Sequence, residues 1–160
     1  MSERRVGIGY DVHRLAAGRE LVLGGVAIPY ELGLLGHSDA DVLTHAVCDA
    51  LLGAAGLGDI GVHFPDTDAR YRGISSLRLL EEVVRLVREA GCAPVNVDAT
   101  VVAERPRLTP HLPAMKEALG RVLGIPPDRI GLKATTTEGL GALGRGEGIA
   151  AIAVCLIETV

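Results

Sequence analysis

The sequence predicts one α/β domain, and three observations carry that expectation. Segments at Arg5–His13, Asn96–Glu104, Ile130–Thr136 and Ile149–Thr159 read as β-strands. The stretch after Ser75 instead repeats apolar residues at helical spacing. Both kinds of segment are mixed along 160 residues with no repeat, low-complexity tract or long linker, a length close to one domain of about 150 residues. A single domain over residues 1–160 is therefore expected.

Arg5–His13 opens the fold as a strand. Glu20–Ile28 reads as a second, Gly-interrupted strand that Pro29 ends, because proline cannot donate to a ladder. Ser38 is placed to cap a helix running to about Ala55, with Asp41 completing an S-x-x-D capping box. Ser75 opens the clearest helix, in which Leu77, Leu80, Val84 and Val87 form an apolar stripe and Gly91 is the stop. Its pairs Arg78–Glu82, Glu81–Arg85 and Arg85–Glu89 sit four apart and make a solvated face. Asn96–Glu104 is rich in β-branched residues. Thr109-Pro110 reads as an N-cap followed by an N1 proline, starting a helix to about Leu123. The last two strands are separated by the glycine-rich Gly139–Gly148.

Composition excludes several function classes. Hydrophobic residues make up 48% and charged residues 22%, which is globular rather than disordered. Aromatics are 2% (Tyr10, Tyr30, Phe64, Tyr71) and the net charge is -4, so neither base-stacking platforms nor a phosphate-backbone surface is present. The longest apolar runs fall short of the ~20 residues that span a bilayer, and no leader pattern survives Asp11 and His13. Cys48, Cys92 and Cys155 are odd in number and far apart, which fits reduced, buried thiols in a cytoplasmic protein. A mean hydropathy of +0.32 is high for this size, so apolar surface is expected to be covered between subunits.

Two constellations carry chemistry. In Tyr10-Asp11-Val12-His13, residues two apart on a strand share a face, so Asp11 and His13 can offer an oxygen and a nitrogen to one ion. His45, in a helix that starts near His37-Ser38-Asp39, is the best third ligand. Two imidazoles and a carboxylate suit zinc with an open fourth position, the pattern of catalytic sites. The alternative is a polar strand edge with a satisfied core histidine. In Lys133-Ala134-Thr135-Thr136-Thr137-Glu138, hydroxyls and amides can hold phosphate oxygens while the carboxylate shares Mg²⁺ with a diphosphate. The alternative is that threonines simply favour strands. Arg145 and Glu147 can pair with each other, and no G-x-S-x-G or activated Cys/His arrangement is present.

Six motifs then occur in order: Gly9–His13, Gly36–Asp41, Asp59–Gly61, Phe64–Asp68, Ala134–Glu138 and Gly144–Gly148. With them the whole chain resembles the 2-C-methyl-D-erythritol 2,4-cyclodiphosphate synthase family of non-mevalonate isoprenoid biosynthesis. The resemblance implies an α+β two-layer sandwich, a mixed β-sheet with helices packed on one face, assembled as a homotrimer with sites between subunits. It implies zinc on Asp11, His13 and His45, and Mg²⁺ or Mn²⁺ on Glu138. His37 and Thr136 match catalytic positions that orient phosphate. Substrate contacts are implied for Ser38, for Asp59, Ile60 and Gly61, and for Phe64, Pro65, Asp66, Thr67 and Asp68. The cytidine and its phosphates are implied to lie on Ala103, Glu104, Arg105, Pro106, Arg107, Leu108 and Thr109, with Thr135 and Thr137, and Ala142 and Arg145 complete the set. The implied reaction cyclises 4-diphosphocytidyl-2-C-methyl-D-erythritol 2-phosphate with loss of CMP. Gly139 and Ala142 stand where many relatives carry a lysine and a phenylalanine, a departure that bears on the apolar cavity at the trimer axis. The rival readings are a zinc-dependent phosphohydrolase and a trimeric, non-catalytic diphosphate-binding protein.

Overall fold

A computed structural model describes Met1–Val160. The strands are β1 (Arg4–Ala16), β2 (Leu21–Leu23), β3 (Val26–Ile28), β4 (Gly33–Leu34), β5 (Cys92–Val102), β6 (Ile130–Thr135) and β7 (Gly148–Thr159). The helices are α1 (Val42–Ala54), α2 (Ile60–His63), α3 (Ser76–Glu89), α4 (Leu112–Leu123) and α5 (Gly141–Gly144). Five strands form one sheet in the order β4-β1-β7-β5-β6, antiparallel except for the parallel β5–β6 pair. The sheet is mixed, as expected, and α1 packs across β1 and β7 with α3 behind it.

The two faces of β1 show why the helices lie where they do. Gly7 and Gly9 are buried beneath α1, where Ala46, Ala50 and Ala54 recur every fourth residue. A Cβ at Gly9 would drive into the Ala46 carbonyl and stand 2.8 Å from the Ala50 amide nitrogen. Glycine on the strand and alanine on the helix thus let two backbones meet without side chains between them. The alternate residues Val6, Ile8, Tyr10 and Val12 face away from the helices and are exposed, and Val154 and Ile152 lie opposite Ile8 and Tyr10 on β7. This apolar face is open on the single chain. All three cysteines are free and buried, as expected.

Several boundaries differ from expectation, each for a local reason. Glu20–Ile28 is not one strand but the β2–β3 hairpin, with Leu23 paired to Val26 across Gly24-Gly25. Both glycines take left-handed φ values of 57° and 76°, the requirement of a two-residue turn. The cap of α1 is Asp41, not Ser38: its carboxylate accepts from the Thr44 amide at 3.0 Å and the Thr44 hydroxyl at 2.7 Å. It also accepts from the amides of Gly24 and Gly25 at 2.9 and 2.7 Å, so one buried carboxylate ties the hairpin to the helix. Ser75 does not cap α3 through its side chain. The stripe of α3 is otherwise as expected, with Leu79 and Val83 joining Leu80, Val84 and Val87 in the core and Leu77 only partly buried. Arg85 binds Glu82 and Glu89 together, in place of the separate Arg78–Glu82 and Glu81–Arg85 pairs. The third strand begins early, at Cys92, because a bulge at Pro94–Asn96 lets proline into the ladder. Thr109 opens a single 3₁₀ turn rather than capping α4.

Candidate active site

Strand alternation puts Asp11 and His13 on the same face as Gly7 and Gly9, under the start of α1, where His45 sits one turn in. The close approach at Gly9 sets the reach between them. His45 Nδ1 lies 3.1 Å from Asp11 Oδ2, His13 Nε2 lies 2.9 Å from the same oxygen, and the two rings meet edge-on with centroids 5.5 Å apart. Ligand atoms of the three residues all fall within 4.8 Å of one another.

His13 carries the case for this cluster as a candidate cation site. Its Nδ1 lies 2.9 Å from the Leu35 carbonyl oxygen, which can only accept, so Nδ1 carries the hydrogen and Nε2 presents a lone pair. That Nε2 is buried and makes no hydrogen bond, although Asp11 Oδ2 is 2.9 Å away. Two electron-rich atoms face each other with the geometry of co-ligands, the carbonyl acting as the outer partner that fixes a ligating imidazole. Burial opposes the charged form of Asp11, but the two imidazoles beside it, His13 and His45, outweigh burial and bring its carboxyl down to about 2. Burial likewise lowers the His13 imidazole, and the Asp11 carboxylate outweighs it, so the net shift is upward. Three protein ligands of N, N and O type, with space beside them, match a four-coordinate catalytic metal.

That space is a cavity of about 480 Å³. Of the expected residues, Asp11, His13, His37, Ser38, His45, Ile60, Gly61, Phe64, Pro65, Asp66 and Thr67 line it, joined by Gly36, Tyr71 and Leu79. Asp59 and Asp68 do not. Asp59 caps α2 through the Val62 amide at 3.1 Å, and Asp68 holds Arg70 at 2.7 Å while its carbonyl takes His37 Nε2 at 2.9 Å. His37 thereby anchors the loop that forms one wall. His45 is held from behind, its Nε2 lying 2.8 Å from Ser76 Oγ and 3.1 Å from Ser38 Oγ.

A second cavity, about 300 Å³, is formed by Ala103, Glu104, Arg105, Pro106, Arg107, Leu108 and Thr109 with Ala134, Thr135 and Thr136. The Arg105–Pro106 bond is cis. Glu104 is less a wall than a clamp: Oε1 accepts from the Thr137 amide at 2.9 Å, the Thr137 hydroxyl at 3.2 Å and the Gly139 amide at 3.2 Å. These bonds brace a turn in which Glu138 adopts φ 56° and its amide donates to Thr136 Oγ1 at 3.1 Å. Glu138 is exposed and stands outside the Asp11–His13–His45 cluster. Arg145 is paired with Glu147 at 2.7 Å, as the sequence allowed, and Ala142 lines a small cleft that reaches His13. One chain therefore brings the candidate metal ligands together but keeps them in a different cavity from the phosphate-type residues of β6. Asp39, Ser76 and the clamping role of Glu104 have no sequence signal of their own, because their partners are remote in the chain.

Residues 4–158 match the YgbB family. The chain is 63% identical over 154 residues to the 2-C-methyl-D-erythritol 2,4-cyclodiphosphate synthase of Syntrophomonas wolfei, covering 96% of this chain and 98% of that one. A CDP-bound structure of a 2C-methyl-D-erythritol-2,4-cyclodiphosphate synthase superposes with a TM-score of 0.88 at 46% identity, covering 96% and 99% of the two chains. The bifunctional IspDF from Campylobacter jejuni superposes with a TM-score of 0.96 at 42% identity, covering all of this chain and 43% of that longer one.

Proposed function

The chain belongs to the YgbB family, and from that premise we propose that its two cavities are the two ends of one substrate site, completed between subunits. The activity is cyclodiphosphate synthesis in isoprenoid biosynthesis, a lyase reaction that closes a cyclic diphosphate and releases CMP. The protein depends on metal, with Asp11, His13 and His45 as the candidate ligands. A cytidine nucleotide is the ligand class, and no helix is long and apolar enough to cross a membrane.

The observation that carries the site assignment is the buried His13 Nε2, without a hydrogen bond and facing Asp11 Oδ2. Asp11, His13 and His45 would hold zinc and Glu138 would hold Mg²⁺ or Mn²⁺; these ions, when bound, supply Lewis-acid polarisation and charge neutralisation at the phosphoryl groups. The substrate brings its own nucleophile. An oxygen of its 2-phosphate bonds to the β-phosphorus, the β-phosphorus–oxygen bond to the α-phosphate breaks, and CMP leaves with that oxygen. No protein nucleophile enters, in keeping with the absence of one, so the side chains position and neutralise. His37 and Ser38 orient the phosphate beside the ligands, Phe64–Asp66 wall off the methylerythritol, and Thr135 and Thr136 steady the diphosphate. Arg107 and the backbone of Ala103–Thr109 receive the cytidine monophosphate portion.

Two features support a homotrimer with shared sites: the exposed apolar face of β1 and β7, and the separation of the two cavities within one chain. We assign the chain to the cytoplasm as one domain over residues 1–160. The test is a phosphorus NMR spectrum after incubation with the cytidine-diphosphate substrate, Zn²⁺ and Mg²⁺. CMP together with two coupled cyclic diphosphate resonances is expected. CMP with an open-chain diphosphate would instead make the protein a phosphohydrolase, and an unchanged substrate would make it a binding protein.

A further inference from the structure

Behind His45 lies a chain of hydrogen bonds that the reaction itself does not require. The Nε2 of His45 faces Ser76 Oγ at 2.8 Å and Ser38 Oγ at 3.1 Å. Ser76 is fully buried in the first turn of α3. Its hydroxyl hydrogen is directed at Asp39 Oδ1 in a short bond. Asp39 is fixed in turn: Oδ2 accepts from the Ser76 amide at 3.1 Å, Oδ1 accepts from the Asp41 amide at 3.1 Å, and its own amide donates to the Ile74 carbonyl at 3.1 Å.

A serine hydroxyl has one hydrogen and can otherwise only accept, whereas a carboxylate oxygen can only accept. Once Asp39 takes that hydrogen, Ser76 Oγ, the nearer of the two hydroxyls on Nε2, meets His45 as an acceptor and favours the hydrogen on Nε2. Nδ1 is then the bare nitrogen, and Nδ1 is the atom that faces Asp11 Oδ2 at 3.1 Å. We propose that Asp39 and Ser76 are positioning residues: a relay that locks His45 in the tautomer whose Nδ1 can bind a metal and fixes the ring against α3. Without Asp39 the serine could turn its hydrogen toward Nε2 and admit the opposite tautomer, with Nδ1 protonated and unable to ligate.

The backbone is shaped for the same end. Ala40 is fully buried and left-handed at φ 57°, a conformation that costs a non-glycine residue and persists where the surroundings over-determine it. It splits two neighbouring carboxylates, sending Asp39 to α3 while Asp41 caps α1. Sharing one Nε2 hydrogen also leaves the Ser38 hydroxyl hydrogen free for the cavity that Ser38 lines.

This inference rests on reading Asp11, His13 and His45 as metal ligands, so the experiment separates the two. In the full-length protein stripped with chelator, at about pH 8.5 where imidazoles are neutral, long-range ¹⁵N–¹H NMR reads the His45 tautomer directly. The relay predicts Nε2–H. Zinc affinity is then measured by competition with a chromophoric chelator for wild type and Ser76→Ala. That variant removes the hydroxyl but keeps the backbone amide that Asp39 caps, so α3 should hold. Zinc binding should weaken roughly 10–100-fold, the usual cost of losing an outer partner, with the unfolding midpoint of the stripped protein little changed. Asp39→Asn, carrying the same two readouts, should shift both in the same direction and serves if Ser76→Ala does not fold. A wild-type His45 with Nδ1–H, or zinc affinity unchanged in the variants, overturns the relay while leaving the ligand assignment standing. A wild type that binds no zinc overturns the ligand assignment itself, and the relay with it.

Discussion

The two ends of the site are built to different degrees by the single chain. At the Asp11–His13–His45 end both imidazoles of the proposed ligand set have a partner behind them: Leu35 for His13 and Ser76 for His45. His45 is only 6% exposed. At the β5–β6 end, Arg107, Thr135, Thr136 and Glu138 are exposed, and the Glu104 clamp braces the turn beneath them. The contrast teaches where the fold spends its order. A metal demands ligands within a few tenths of an ångström and in fixed protonation states, so one chain pre-forms that end. A flexible diphosphate tolerates a looser cradle, and its walls can come from a neighbour and from the ligand.

If that division is right, perturbations should fall unequally. The largest effect is expected for His45→Ala, which removes a ligand from the rigid end: CMP release should drop more than about a hundredfold, beyond the loss of an outer-shell partner, and bound zinc should disappear by elemental analysis. Full turnover with stoichiometric zinc would contradict it. Next comes Gly9→Ala, at a residue that lines neither cavity. Its methyl collides with the α1 backbone, so urea unfolding should show a loss of about 3 kcal/mol, the upper end of overpacking, together with weaker zinc binding as His45 moves off Asp11.

A pH effect of similar or smaller size isolates the rigid end without mutation. The Asp11 carboxyl is lowered from 3.8 to about 2 in the folded, metal-stripped protein. A depressed carboxyl stabilises the fold above its unfolded value, and that stability is lost as pH falls from 3.8 through about 2. The contribution is about 2 kcal/mol, measurable as a steeper loss of stability in wild type than in Asp11→Asn across that interval. The smallest effect belongs to the loose end. Glu104→Ala frees the Thr137 and Gly139 amides, costing about 1 kcal/mol of turn order. The apparent Mg²⁺ requirement should rise about fivefold, the same energy expressed as a binding ratio, with zinc content unchanged and Glu104→Gln restoring most of the loss. A change in zinc content instead would show that the two ends are not separately organised.

Much of the rigid end was legible in the sequence because its rule is local. Alternation along β1 puts Asp11 and His13 on one face whatever the rest of the chain does. What was not legible is tertiary: Ser38 looked like the cap of α1 by spacing, yet the left-handed turn at Ala40 hands that role to Asp41. The Asp39–Ser76 contact joins residues 37 positions apart and exists only once α3 has docked. The glycines at 24 and 25 marked a weak strand, but their positive φ values make a hairpin, which only the pairing of β2 with β3 reveals. Glu104 lines the second cavity where it was expected, but nothing near it in sequence shows that the β6 turn also folds back onto its carboxylate.

The claim that the two ends come from different subunits is tested most directly by complementation. His45→Ala and Glu138→Ala chains, carrying different tags, are co-expressed and the mixed assemblies isolated, each variant being inactive or nearly so alone. If the metal end of one subunit meets the β6 end of the next, some interfaces pair two intact halves. Each mixed closed trimer then has one such interface in three and should restore about a third of wild-type CMP release. Mixed assemblies no more active than their parents would place both ends in one chain and contradict the account.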